Sequence, residues 1–270
     1  MKSAIGITGC TGSLGKTLIK VGKNKKFICF SGDIRNQDDV RNWIKHNNLL
    51  AIIHLAAIVP IKNVNSNKIK AKEVNFLGTK NIIDAFKKSN IEWLFFSSTS
   101  HVYEYSFTKI SERSKKYPVS YYGKTKLLAE NYIRKQLDKS DKKYCIGRIF
   151  STSNKDQKKN YLVPDLKKRI KKAKKKITFK NLNHFRDFIS MQEISKIILA
   201  LYKIKYQGII NIGRGQSIHL KDIAKIICKK FRKNFKFEDN RNPTYLIANN
   251  SKLKKIFKLK KKTNLAKLIF

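Results

Sequence analysis

Tyr122 and Lys126 stand four residues apart in the run YYGKTK. On a helix, positions i and i+4 share a face, so a phenol and an ammonium can open onto one site. The ammonium favours the tyrosinate and draws the phenol toward the working pH. Such a phenol can give or take the proton of an alcohol while hydride reaches or leaves the neighbouring carbon. A second constellation is Gly9-Cys10-Thr11-Gly12-Ser13-Leu14-Gly15, spaced G-x-x-G-x-x-G directly after the apolar run SAIGIT. Glycines there permit a tight turn and let backbone amides approach a pyrophosphate at the positive end of a helix. We count Thr11, Ser13 and Leu14 with the three glycines as cofactor-binding. A third is Ser97-Ser98-Thr99-Ser100, which places hydroxyls just past a strand. Ligands of open α/β sheets bind at that edge. Ser97 falls on the cofactor side of it and Ser100 on the substrate side.

These groups need elements that bring several strand ends together. Apolar runs at Ser3 to Thr8, Phe27 to Phe30, Leu50 to Leu55, Trp93 to Ser97 and Tyr144 to Phe150 read as strands. Helical spacing lies between them, at Leu14 to Val21, Asp38 to Lys45, Val74 to Lys87 and Lys124 to Gln136. That alternation predicts βαβ units and a Rossmann-like, doubly wound parallel sheet of the α/β class. The remainder mixes helices (Pro164 to Lys174, Ile194 to Tyr202, Leu220 to Lys230) with short strands (Ile177 to Phe179, Gly208 to Ile212). We expect a dinucleotide-binding domain over 1–160 and a smaller, interleaved substrate-binding α/β part over 161–270.

The set GCTGSLG, DIRN, HLAA, VNFLGT, SSTSHVY and YYGKTKLLAE resembles the extended short-chain dehydrogenase/reductase family. Within it the chain is similar to the NAD(P)-dependent epimerase/dehydratase group that acts on nucleotide-activated sugars. The likeness runs on through Arg186-Asp187-Phe188-Ile189 and Asn211-Ile212-Gly213. By that resemblance Thr99 and Tyr122 are catalytic with Lys126, which also holds the cofactor ribose. Asp33 and Ile34 flank adenine, and Leu55, Ala56 and Ala57 line the path of NAD or NADP. Thr99, Ser100, Ser151 and Arg186 face the substrate, Arg186 at its diphosphate, with Lys167 and Lys168 as weaker diphosphate contacts. The resemblance further implies hydride transfer on a nucleotide sugar, with 4-keto reduction of a 6-deoxy sugar for polysaccharide biosynthesis as one such task. A homodimer through two helices, one of them carrying Tyr122, is also implied.

Departures narrow this. The group's 4,6-dehydratases resemble S-T-D-E-V-Y after the fourth strand, where an acidic pair serves the loss of water. This chain has Ser100 and His101 instead, which counts against dehydration. His101 reads as a residue behind the site, and His54 as a packed strand-end residue. Cys10 reads as a small filler of the glycine loop. Asp33 lies eighteen residues past Gly15, near where a ribose-binding acid belongs, yet it also opens the adenine segment. NAD and NADP both stay open. A reductase of a small non-nucleotide carbonyl compound, and a non-catalytic cofactor- or nucleic-acid-binding protein, are the alternatives.

The charge bears on the last of these. Sixty-one Lys and Arg against 18 Asp and Glu leave a formal net charge of +43. A nucleic-acid binder would add a reading or stacking element, and no zinc-finger, RNP or KH pattern is present. The plainer reading is compositional, with some attraction for anionic ligands. Four cysteines without a CxxC pair argue against a disulfide framework or a metal site and fit a reducing cytosol. No apolar run is long enough for a membrane span, and the N-terminus lacks the apolar core of a signal peptide. We therefore expect a soluble cytoplasmic protein with no membrane and no specific nucleic-acid partner.

Overall fold

The computed structural model describes residues 4–153, 157, 161–174, 176–259 and 265–270. The first half alternates β1 (Ala4–Thr8), α1 (Ser13–Val21), β2 (Phe27–Cys29), α2 (Gln37–Lys45) and β3 (Leu49–His54). The short helices α3 (Ile61–Ser66) and α4 (Lys68–Lys72) lead through a π turn at Glu73–Leu77 into α5 (Gly78–Lys87). Next come β4 (Trp93–Thr99), a 3-10 turn at Ser100–Val102, α6 (Tyr121–Leu137) and β5 (Lys143–Ile149). The second half holds β6 (Ser151–Ser153), α7 (Leu162–Lys172), β7 (Lys176–Lys180), β8 (His184–Arg186), β9 (Phe188–Ser190) and α8 (Met191–Lys203). It ends with β10 (Gly208–Ile212), β11 (Ile218–His219), α9 (Leu220–Lys230), β12 (Asn234–Glu238), β13 (Thr244–Leu246), α10 (Ser251–Ile256) and α11 (Leu265–Ile269).

The main sheet is six-stranded and parallel, in the order β10-β5-β4-β3-β1-β2. The doubly wound class expected from the alternation is the one observed. Its strands are buried on both faces because alternate side chains feed two cores. Ile52, Leu94, Phe96 and Ile146 pack under α2, α5 and α6. Ala51, Ile53, Trp93, Phe95 and Ile210 pack under α1, α8 and α10. Each large side chain so buried is worth about 1.5–3 kcal/mol. A third core joins α7 and α9 across Phe179 in the C-terminal part.

Three boundaries differ from the sequence expectation. Strand β10, from the C-terminal part, pairs with β5 and completes the large sheet. The helix expected from Val74 opens in the π turn, which carries the Asn75 side chain to the backbone of Ile58. Helix α6 starts at Tyr121, because Ser120 caps it by accepting from the Gly123 amide at 3.1 Å. The usual doubly wound order also sets two strands outside the first, and here β2 alone occupies that side. No helix among the described residues is long and apolar enough to cross a membrane.

One polar row crosses the buried sheet. Ser98, Arg148 and Asn211 are register partners on β4, β5 and β10. The Arg148 guanidinium donates to both Glu130 carboxylate oxygens, the shortest contact being 2.6 Å, and to Tyr103 Oη at 2.8 Å. Ser98 donates to Glu130, and Tyr103 donates to Asn211 Oδ1 at 2.7 Å. Both side chains of the ion pair are 1% exposed, so each charge depends on the other. Arg148→Met, which strands the Glu130 carboxylate, is expected to lose about 3–5 kcal/mol of unfolding free energy in a urea titration. Arg148→Met with Glu130→Leu should recover most of that loss, and a double variant no more stable than the single one would show that the pair is not coupled.

Candidate active site

Helix α1 and the ends of β1, β3, β4 and β5 surround a cleft of about 680 Å³. Gly9, Thr11, Gly12, Ser13, Leu14 and Gly15 line one end. Leu55, Ala56, Ala57 and Ser97 line its middle, and Thr99, Tyr122 and Ser151 stand together at the far end. Most residues singled out from sequence thus share one cavity.

Its glycine end is built for an anion. Gly9 has φ +79°, and a Cβ there would lie 2.8 Å from the Ala56 amide nitrogen. A Cβ on Gly15 would lie 2.4 Å from the Gly9 carbonyl oxygen, so that glycine serves close packing. Gly12 is different: a Cβ would meet only the Gly9 carbonyl oxygen, at 3.2 Å. Gly12 caps α1 without a side-chain hydrogen bond, and no acid lies in the first turn. The first turn of α1 borders the cleft, and the amides of a helix N-terminus suit a pyrophosphate.

At the other end, Thr99 closes β4 and accepts from the His101 amide at 3.2 Å. Its side chain and that of Tyr122 both line the cleft. Burial pushes that phenol up, the Tyr161 phenol adds to the rise, and the Thr99 hydroxyl opposes it. Lys126 is turned inward, with Nζ 4.0 Å from the centre of the Phe96 ring. Burial brings its ammonium down to about 7, with Glu130 pulling the other way. The phenol is thus raised and not lowered, and Lys126, buried one turn behind it, is not among the groups that shift it.

Other expected residues are not part of this lining. Asp33 does not border the cleft; it pairs with Arg35 at 2.6 Å, whose side chain holds its carboxyl down to about 2. Ile34 is in the core, against Gly78 of α5. Both sit past the end of β2, in the turn where the Asn36 amide bonds the Asp33 carbonyl. Ser100 is buried in its 3-10 turn. Arg186 donates to the Phe185 and Thr244 carbonyls and to Thr244 Oγ1, so its charge meets only neutral oxygens. Lys167, on α7, has its ammonium 4.9 Å from the Phe270 ring, and neither it nor Lys168 borders the cleft. Cys10 is no mere filler: it is disulfide-bonded to Cys29, with Cα atoms 6.0 Å apart. The pairing was invisible at a separation of 19 residues; it arises because Ile7 and Cys29 are register partners on β1 and β2.

Three parts of the lining escaped the sequence reading. His101 borders the cleft instead of lying behind it, and its only signal was its place in the hydroxyl-rich turn. Tyr161, ahead of α7, had none. Phe188, Met191 and Ile194 come in on β9 and α8, following the Arg186-Asp187 pair that did stand out. His54 is a packed residue as expected, bonded to Thr8 at 2.6 Å and Thr79 at 2.9 Å. Among the described residues no group of His, Cys, Asp and Glu could hold a metal ion.

Comparison with known proteins agrees with this geometry. The model of the NAD dependent epimerase/dehydratase family matches residues 5–213. A GDP-6-deoxy-D-talose 4-dehydrogenase of Aggregatibacter actinomycetemcomitans is 29% identical over 234 residues, covering 83% of this chain and 78% of that protein. An inverting UDP-N-acetylglucosamine 4,6-dehydratase of Campylobacter jejuni is 24% identical over 249 residues, covering 83% of this chain and 70% of that one. The structure of RMD from Pseudomonas aeruginosa complexed with NADPH superposes with a TM-score of 0.87 at 16% identity, covering 99% and 96% of the two chains.

Lys126 yields a test of the site. Its pKa is near 7 when folded, below that of an exposed lysine, so folding buries a charge at pH values below about 7. The penalty fades as pH rises from there toward the ordinary lysine range. Lys126→Met should therefore raise the melting temperature at pH 6 and raise it less at pH 9. A variant less stable than the native protein at pH 6 would refute this.

Proposed function

The chain belongs to the NAD dependent epimerase/dehydratase family, and from that premise we propose that it is an NAD(P)-dependent oxidoreductase or epimerase of a nucleotide-activated sugar. The reaction the site suits best is reduction of a 4-keto group on a nucleotide-linked 6-deoxy sugar. The observation that carries this is that Thr99 and Tyr122 line the same cleft as the open Gly12 turn. A proton carrier and a dinucleotide cradle thereby share one cavity.

A dinucleotide fits that cradle: Gly12 leaves room for a pyrophosphate, and the first turn of α1 offers amides and no acid. Gly9, Thr11, Gly12, Ser13, Leu14 and Gly15 would hold its phosphates, and Leu55, Ala56, Ala57 and Ser97 its middle. Asp33 and Ile34 would lie at the adenine end. When bound, the nicotinamide supplies or takes up hydride. The chain does the rest. Tyr122 passes its phenol proton to the carbonyl oxygen as that carbon gains hydride, and Thr99 hydrogen-bonds the same oxygen. Lys126 would hold the ribose. Epimerisation runs the same proton transfer outward and then back at one carbinol. The part over 161–270 would close the substrate end, with Ser151 beside the sugar and Ser100 in the turn behind it. Arg186, which has no acidic partner among the described residues, would turn to the diphosphate.

Loss of water fits less well. No Asp or Glu is among the described residues that line the cleft, and such an elimination draws on an acid and a base. A small non-nucleotide carbonyl compound is the second reading, favoured by the cleft volume of about 680 Å³, which suits a compact ligand. NADH and NADPH oxidation with 4-keto-6-deoxy sugars linked to GDP, dTDP or UDP tests the proposal. We expect turnover with at least one, and a fall of about 10²–10⁴-fold in Tyr122→Phe. No turnover with any, or a phenylalanine variant within twofold of native, would overturn it.

A further inference from the structure

His101 stands in the turn after β4 with one ring nitrogen unmet. Nδ1 is buried and unpartnered, while the side chain borders the cleft. Its place is set by the two elements that carry the reacting groups. Thr99 caps the 3-10 turn through the His101 amide. Helix α6 presses on its backbone so closely that a Cβ on Gly123 would lie 2.1 Å from the His101 carbonyl oxygen. The imidazole stands edge-on to the Tyr122 ring, with centres 6.1 Å apart and planes at 65°. A ring held this firmly beside the proton carrier, with Nδ1 unmet, has a cost of about 1–3 kcal/mol that packing alone does not explain.

Its charge state limits what it does. Burial, and then the Arg186 charge, bring the imidazole down to about 4. It is neutral near pH 7, with one N–H donor and one lone pair. So weak a base does not remove a proton from carbon, but it both donates to and accepts from a hydroxyl.

We propose that His101 is the residue that reads the sugar: its imidazole hydrogen-bonds a hydroxyl on a carbon next to the one served by Tyr122 and Thr99. This rests on the nucleotide-sugar reading of the cleft. The selectivity follows from the buried ring, since a ligand lacking that hydroxyl leaves the imidazole unmet in a water-poor pocket. His101 thereby acts on the sugar and not on the nucleotide or the cofactor.

Calorimetric binding of UDP-glucose, GDP-mannose and dTDP-glucose, each against its own nucleoside diphosphate and all with NAD present, separates these. In the native protein the sugar should add affinity for at least one pair. His101→Leu should reduce that added affinity about tenfold, the loss of roughly one hydrogen bond, while affinity for the nucleoside diphosphate and NAD stays within about twofold. His101→Asn, which keeps a donor and an acceptor, should retain most of it. If the leucine variant does not fold, His101→Phe keeps the edge contact to Tyr122 and makes the same measurement. An unchanged sugar increment, or a loss shared equally by the nucleoside diphosphate and NAD, would overturn the proposal. A native protein that binds NAD but gains nothing from any sugar would instead overturn the nucleotide-sugar reading on which it stands.

Discussion

The buried pair of Arg148 and Glu130 is the contact on which the rest of the site depends. Arg148 sits mid-row in a parallel sheet, between Ser98 on β4 and Asn211 on β10. Its only carboxylate is on α6. An arginine at this depth must be paired and fully hydrogen-bonded, and Glu130, Tyr103 and the Glu112 carbonyl take all three nitrogens. The consequence is geometric. Glu130 is two turns along α6 from Tyr122, so locking the carboxylate under the sheet fixes the helix against the end of β4. The placement of Tyr122 beside the end of β4 follows from that lock.

A second polar chain ties the glycine loop to the same helix. Thr79 gives its hydroxyl proton to the Asn75 carbonyl, so it can only accept from His54 Nε2. His54 is then the Nε2–H tautomer, and Nδ1 accepts from Thr8 at the end of β1. Burial brings this imidazole down to about 3, with Lys126 adding to the effect, which agrees with a neutral ring. Asn75 completes the chain by donating to the Ile58 carbonyl and to Thr125 of α6. A network with each donor and acceptor matched stiffens what it joins. Here it joins the cofactor end to the proton-transfer end.

The charge of +43 is distributed quite differently. Lys62 is the single Lys or Arg among the described residues that line the cleft. Helix α7 alone carries Lys167, Lys168, Arg169, Lys171 and Lys172, over an apolar face of Val163, Leu166 and Ile170 turned into the core. Most basic residues thus cover solvated helix faces, where they act on any polyanion at long range and weaken with salt. The reacting groups work in a setting with little net charge, where burial dominates every shifted pKa.

Local spacing was enough to read the alternation of strands and helices, the G-x-x-G-x-x-G loop and the Tyr122–Lys126 pair. Each is written within a few residues, and period and turn chemistry act at that range. Leu220 to Lys230 was legible to the residue. What depended on chain packing was not. β10 joins the large sheet, Cys10 meets Cys29, Arg148 finds Glu130, and His101 faces the cleft, all through neighbours far away in sequence. Asp33 shows the limit most clearly: its distance from Gly15 suited a ribose contact, but that its carboxylate meets the Arg35 side chain is visible only in the fold. Sequence determined which chemistry the chain carries, because side-chain type and local period are written in it directly. Only the tertiary structure decided which groups share a cavity and which protonation state each keeps, because burial and charge separation exist only once the strands are side by side.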